Sequence, residues 1–403
     1  MSLSSGVLVL SLLLGLSAPC FATVDPITND TSSPIYVNKN TTLILINDPV
    51  YGTRNVSYWA TDDGLAIIDG DVIYGRLDDL LSRSLTGPQD VSKRAHSVYA
   101  PNTWPSATVT YKFDSATTES TLSAIVNGAI ANWIAKAPYL TFTKVANSAV
   151  GENGVVMIQA PACGGCNSAI GFANVPLTMN LQQTCPTAPG SCGVAEATHE
   201  FGHLLGEFTF FPFLIFSMVP YLRIYCAGLY HEHQRFDRES FVHYHCENLN
   251  PACPAGAIMP VGKTCCDSGI PSGCCGTAGN FVILSGPSFD ASGAYDVNSI
   301  MQYRASSFAI PGKDTLIPAV PGIVIPSINP SAIDSMDADR ICKLYSAKCP
   351  LAISCHNAQC PSTCKPVKGC NKRNLCNDPP CCEPVSCTHE WQICSKKGCD
   401  FLK

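Results

Sequence analysis

Between residues 105 and 181 the apolar positions change period several times, and each change marks an element. Val109, Tyr111 and Phe113 alternate with polar neighbours, the period of a half-buried strand. From about residue 118 to 137 the rhythm lengthens to that of a helix, with Leu122, Ile125, Ala129 and Trp133 on one stripe and Glu119 in the first turn. Pro138 ends it. Residues 140–145, 154–159 and 175–181 read as further strands, and a helix is expected around residues 198–206. A last helix, about 331–345, carries Ile333, Met336, Ile341 and Leu344 as an apolar stripe for the core. Strand, helix, strands and helix in this order predict a mixed α/β N-terminal half followed by an irregular C-terminal half.

The chain ends differ from this pattern. Residues 1–22 read as a signal peptide, with an apolar stretch over 6–18 and Cys20-Phe21-Ala22 placing small residues for cleavage. Residues 23–94 are polar, contain glycosylation sequons at Asn29, Asn40 and Asn55, and close on the dibasic pair Lys93-Arg94. They read as an exposed propeptide. Residues 349–403 hold eleven Cys with Lys, Pro and few aliphatics, too little to bury a core without disulfides. That tail reads either as a small module for a wall or matrix polymer or as a plain disulfide-held extension.

Composition narrows the class. A chain of 403 residues that is 46% hydrophobic can bury a sizeable core. Its net charge of −6 and lack of a basic, aromatic-interleaved run exclude a nucleic-acid binder. Twenty-four Cys argue for the oxidising secretory route. A soluble, secreted monomer without a membrane span is expected. Cys163 and Cys166, with Cys185 and Cys192 nearby, read as disulfide staples in that setting, not a redox pair. Cys246, Cys253, Cys265, Cys266, Cys274 and Cys275 read as a disulfide-pinned insertion, a zinc ribbon being the weaker reading because adjacent Cys pairs make poor tetrahedral sets.

The chemistry concentrates in residues 198–238. His199, Glu200 and His203 form H-E-x-x-H, whose spacing puts both imidazoles on one helix face to grip a Zn²⁺ with Glu200 beside them. Zinc in a catalytic site takes about three protein ligands. Gly206 follows His203 where a helix turns away, and His231 offers the missing imidazole. The run His231 to Arg238 (HEHQRFDR) and, further on, Ser299-Ile300-Met301-Gln302-Tyr303 complete a pattern of the extended metzincin kind.

With Gly206 joined to Leu229 the text reads HEFGHLLGLYHEHQRFDR, which resembles the astacin family of zinc endopeptidases over roughly residues 95–348. The resemblance implies an α+β fold of the zincin/metzincin type: two lobes, a mixed twisted sheet with two long helices, an irregular C-terminal lobe, then the disulfide-rich module. It also implies His199, His203 and His231 as zinc ligands, one zinc per chain, and Glu200 as general base. Met301 would form the turn under the metal and Tyr303 would stabilise the oxyanion. Glu232 would contact the freed N-terminus of the mature chain, Ala95. Ile68-Asp69-Gly70-Asp71-Val72 resembles the propeptide stretch whose aspartate takes zinc's open position, here Asp71; Asp69, or a plain turn aspartate, is the alternative. Gln302 departs from the family's usual His.

Residues 207–228 interrupt the motif with a Phe-rich, nearly uncharged run broken by Pro212 and Pro220, too broken for a membrane helix. Its ends can be encoded GGT-GAG and GCA-GG, which contain splice signals, so the run reads as a translated intron; a genuine family-specific insertion is the alternative. Without Cys20 and Cys226 the cysteine count is even, as full pairing requires. Two function classes follow. One is a secreted zinc endopeptidase acting on protein or peptide substrates and made as a zymogen. The other is a non-catalytic zincin-like protein carrying the Cys-rich tail to a polymer, and retention of Glu200 and Tyr303 favours the first.

Overall fold

The computed structural model describes residues 41–349 apart from 49–50, 86–102, 187–189, 207–228, 255, 272, 285–293 and 328–329, together with four short strands beyond 349. The signal segment, Asn29, Asn40, Lys93-Arg94, Ala95 and the Phe-rich run lie outside the described residues.

The first ordered part corrects the expectation of an exposed polar stretch. Strands β1 (Thr42–Asp48), β2 (Gly52–Ala60), β3 (Leu65–Ile68) and β4 (Val72–Arg76) form an antiparallel meander, closed by the short helix α1 (Leu77–Leu81). Ile46, Val56, Ala66, Ile68, Val72 and Leu80 are buried inside it. Asn55 sits on the exposed face of β2 between buried Arg54 and Val56, so the sequon survives beside a core. The two runs TLILIN and NVSYWA, paired antiparallel as far as Asp48 and Gly52, carry the hairpin signal that polarity of the whole segment obscured.

The later half of the sheet comes from β5 (Thr108–Phe113), β6 (Thr141–Lys144), β7 (Val156–Gln159), β8 (Cys166–Ala169) and β9 (Leu177–Leu181). One nine-stranded sheet results, in the order β1-β2-β3-β4-β8-β9-β7-β5-β6. Strands β5, β6, β7 and β9 are parallel, and β8 is antiparallel to β9. Strand β4 lies parallel along the outer edge of β8, pairing Val72 with Ser168 and Ile73 with Ala169.

Two long helices pack on this sheet. Helix α2 (Ala116–Lys136) starts where the Ser115 hydroxyl accepts from the Thr118 amide at 3.1 Å, and it buries Leu122, Val126, Ala129 and Trp133. Val126 takes the inner position expected of Ile125, which is half-buried beside it. Helix α3 (Val194–Leu205) begins at Gly193, whose amide donates to the Glu196 carboxylate at 2.8 Å, and it is buried from Ala197 onward. Trp133 ties the two helices by donating from its indole to the Thr198 carbonyl at 2.9 Å. The last carbonyls of α3 are satisfied by Trp104, which donates to Leu204 at 2.6 Å, and by the Tyr345 hydroxyl, which donates to Leu205 at 3.1 Å. Gly202 faces Met301: a Cβ there would stand 2.6 Å from the Met301 sulfur.

Beyond α3 the chain has little regular structure, as expected: the pair β10 (Val242–Tyr244) and β11 (Leu316–Pro318), several single 3₁₀ turns, and helix α4 (Ser335–Leu344). Disulfides substitute for repetitive backbone bonding. Cys163–Cys185 and Cys166–Cys192 staple the loops around β8, and Cys246–Cys266, Cys253–Cys274 and Cys265–Cys275 pin the second lobe, leaving none of those six thiols for a zinc ribbon. Cys349, expected to open the tail, is bonded to Cys342 and buried, so it closes helix α4 instead. On α4 the buried positions are Asp337, Ile341 and Cys342, whereas Met336 is only half-buried. Asp337 goes inside because its carboxylate accepts from the Ser299 hydroxyl at 2.6 Å and the Ile300 amide at 2.9 Å, fixing the turn that holds Met301. Past 349, β12 (Cys364–Pro366) pairs with β13 (Cys382–Pro384) and β14 (Ile393–Ser395) with β15 (Gly398–Asp400). The molecule is a mixed α+β fold whose described disulfides lie around β8, in the second lobe and at the end of α4.

Candidate metal centre

Helix α3 supplies His199 and His203 from adjacent turns of one face, and both are buried. Their rings lie 4.8 Å apart, and that of His231 lies 5.4 Å and 5.0 Å from them. Twenty-four residues separate Gly206 from His231 in the chain, yet the third imidazole reaches the first two. Buried Leu229 and Tyr230 and the Glu232 amide, which donates to the Met301 carbonyl at 3.1 Å, seat that segment beside α3.

Each imidazole is oriented through Nδ1. The His199 Nδ1 meets the Ile300 carbonyl at 2.7 Å, that of His203 the Leu229 carbonyl at 2.9 Å, and that of His231 the Gln234 side-chain oxygen at 3.2 Å. Carbonyl and amide oxygens only accept, so Nδ1 carries the proton in each ring and Nε2 presents a lone pair. Burial pushes the His203 pKa down to about 4, which keeps that ring neutral although Asp71 pulls the other way.

All three Nε2 atoms are buried without a hydrogen-bond donor, and they surround the Asp71 carboxylate at 3.3, 3.4 and 2.9 Å. The four ligand atoms lie within 4.8 Å of one another. Lone pairs facing a carboxylate repel unless a cation lies among them, so this arrangement fits a metal ion. Three neutral nitrogens and one carboxylate oxygen form a donor set suited to zinc.

Glu200, one residue along α3, is fully buried with both carboxylate oxygens unpartnered. Burial, and after it the Asp71 and Glu196 carboxylates, pushes its pKa well above the ordinary value. A carboxylate so placed is a ready proton acceptor. Met301 lies buried against Gly202 of α3. Tyr303 is buried with its ring 4.5 Å from His231 and 4.0 Å from His233, and its hydroxyl donates to the Asp69 carbonyl at 2.6 Å. Gln302 stays out of the cluster: it accepts from the Tyr295 hydroxyl at 2.7 Å and donates to the Tyr303 carbonyl at 2.9 Å.

Asp69 and Asp71 have separate surroundings. Asp71 enters the imidazole cluster, while Asp69 takes two hydrogen bonds from Arg54 at 3.1 and 2.9 Å. Asp69 and Gly70 both hold positive φ, 51° and 100°, and a Cβ on Gly70 would lie 2.0 Å from the Tyr303 hydroxyl. Only glycine fits there.

Glu232 is met by Arg340 at 2.7 Å and Arg235 at 3.2 Å, and it accepts from the Asp296 amide at 2.7 Å. Ala95, the partner expected for it, lies outside the described residues. Sequence reasoning missed Gln234, whose role shows only as the oxygen behind His231, and Arg54, which the polar composition of its segment concealed.

Residues 97–210 match the model of one peptidase family, Astacin, so the chain contains an astacin-family metallopeptidase domain. The match ends just inside the Phe-rich run. No curated protein matches the chain. Among solved structures, high choriolytic enzyme 1, a hatching-enzyme zinc protease of the medaka fish Oryzias latipes, is 20% identical. It covers 63% of this chain and 98% of its own, with a TM-score of 0.42. Myroilysin is 18% identical, covering 60% of this chain and 95% of its own at a TM-score of 0.32.

Proposed function

We propose that the chain is a secreted zinc endopeptidase made as a zymogen, with residues 23–94 as its propeptide and 95–348 as the catalytic part. The observation that carries this reading is the convergence of three oriented imidazoles on one buried point, with the buried, unpartnered Glu200 next to His199 on α3, a helix that lies inside the segment matching the Astacin peptidase family.

His199, His203 and His231 would hold one zinc, and Met301 would pack beneath them. Bound there, zinc supplies a Lewis acid that lowers the pKa of water toward ~7 and polarises a carbonyl. Glu200 takes the proton of the attacking water and then gives it to the nitrogen of the leaving amine. Tyr303, once released from the Asp69 carbonyl, donates its hydroxyl hydrogen to the developing oxyanion. An extended peptide can add along β8, whose outer edge is occupied by β4 in the precursor. In that precursor Asp71 is the inhibitory ligand, standing where water and substrate must enter.

Secretion rests on the signal-like residues 1–22 and on the disulfides of the described residues. No helix among those residues is long and apolar enough to cross a membrane. Asn55 is an exposed site for a glycan. The Cys-rich tail is read either as a module for a wall or matrix polymer or as a plain disulfide-held extension, and the mature chain as a monomer whose Glu232 can take the new N-terminus. Residues 207–228 are read as intron-derived.

The experiment is hydrolysis of a denatured protein by the chain from which residues 23–94 have been removed. Cleavage of internal peptide bonds is expected, lost with a chelator and regained with zinc. Tight zinc binding without any peptide cleavage would instead support the non-catalytic binding protein.

A further inference from the structure

The cut at Lys93-Arg94 would touch none of the described contacts that join the N-terminal sheet to the rest of the molecule. Besides Asp71 among the imidazoles and the Tyr303 hydroxyl on the Asp69 carbonyl, those contacts are of three kinds. Strand β4 extends the catalytic sheet at β8. Ile46, Val56, Ile68 and Leu80 share one core with Ile170, Tyr230 and Leu284 from beyond the cut, and Tyr51 stacks edge-on against Tyr230 at 5.4 Å. The third is a glycine surface on the second lobe, in the 3₁₀ turn Gly276–Phe281. A Cβ on Gly276 would lie 2.1 Å from the Thr41 carbonyl oxygen, and one on Gly279 would lie 2.6 Å from the Ser57 amide nitrogen. The Ser57 hydroxyl donates to the Gly276 carbonyl. Backbone therefore meets backbone there, with room for hydrogen only.

Within the N-terminal sheet a buried charge chain holds the inhibitory loop to its own scaffold. Arg54, itself buried, bonds Asp48 at 3.0 Å and Asp69 at 2.9 Å, two residues before Asp71. The loop is thus an extension of a folded module, unlike a loose peptide that leaves when its end is freed. A cavity of about 470 Å³ lies along the seam, between β3–β4 and residues such as Met157, Val175 and Thr178. The module is accordingly gripped at β8, at the shared apolar core and at the glycine turn.

We infer that residues 41–85 form an inhibitor module that stays docked, by these contacts alone, after the chain is cut at Lys93-Arg94, so that activation needs a second step that dislodges it. The inference rests on the zymogen reading above. A cut removes the raised effective concentration that a linker gives, but it removes no contact. The surface left on departure is the edge of β8, the apolar patch of Ile170, Tyr230 and Leu284, and the glycine turn. Its occupant is this chain's own N-terminal module.

The test uses the full chain, cut to completion at the dibasic pair by a processing protease and passed through size exclusion. The two fragments are expected to co-elute, with hydrolysis of a quenched peptide at least tenfold below that of a Gly279→Ala chain cut in the same way. That variant places a methyl against the Ser57 backbone, outside the metal cluster. Should Gly279→Ala disturb the second lobe, Arg54→Ala weakens the module from the other side and should separate on cutting. Parent fragments that part immediately on the cut, with full activity, would overturn the inference while leaving the peptidase reading intact. Separated fragments without activity overturn both, and co-eluting inactive fragments with active Gly279→Ala support both.

Discussion

Replacing Glu200 with Gln should abolish most peptide hydrolysis and leave the zinc content of the released chain unchanged. Gln is nearly isosteric and sits in a fully buried position, so α3 and its two imidazoles keep their packing. The amide, unlike the carboxylate, cannot take a proton from water or hand one to the leaving nitrogen. General acid–base assistance is worth about 10²–10⁴-fold, and a loss within or above that range in kcat is the expected result. The unpartnered carboxylate oxygens make the substitution cheap for the fold, because no existing hydrogen bond is broken. Zinc content measured on the same sample separates chemistry from metal loss. Full hydrolysis by the variant would remove Glu200 as the base.

The second large effect is expected at Asp71. In the uncut precursor Asp71→Ala removes the carboxylate that stands among the three imidazoles and leaves β4 and the Arg54–Asp69 bond in place. Charge-assisted contacts of this kind contribute about 1.5–3 kcal/mol, so opening of the cluster should become roughly 10- to 100-fold more frequent. Small peptide substrates should report this as leak activity before any cut. Large protein substrates should report less of it, since β4 still covers the edge of β8. A silent Asp71→Ala precursor that becomes active only when residues 23–94 leave would assign latency to the sheet instead of the aspartate.

How much of this was legible in the sequence follows from the range of the forces involved. The α3 ligands are set by a four-residue spacing on one helix, a local property that any reader of H-E-x-x-H recovers. The stripe on α2 was legible for the same reason, with an error of one position between Ile125 and Val126. His231 was legible only by motif, because its approach depends on contacts of Leu229, Tyr230 and the Met301 carbonyl that no spacing encodes. Asp71 was placed by resemblance alone. The sheet of residues 42–76 went unread because its strands are short, its outward positions are polar, and part of its core belongs to residues far along the chain. Asp337 went unnoticed for a related reason. An acidic residue within an apolar stripe reads as solvent-facing, and its partners, Ser299 and the Ile300 amide, are supplied by a distant turn.

Gly276 and Gly279 carry the same lesson. As sequence they belong to a Gly- and Cys-rich stretch that signals irregular structure, and nothing local distinguishes them from loop glycines. Their meaning lies in the approach of Thr41 and Ser57, over two hundred positions earlier.

The central claim is that His231 completes a zinc site with His199 and His203 despite the long intervening segment. Metal content of the purified chain, set against that of a His231→Ala variant, tests it most directly. One zinc per parent chain and less than about a tenth of that in the variant is the predicted result, since a catalytic zinc site is built on about three protein ligands. Full zinc occupancy in His231→Ala, or a parent chain that holds none, would contradict the account.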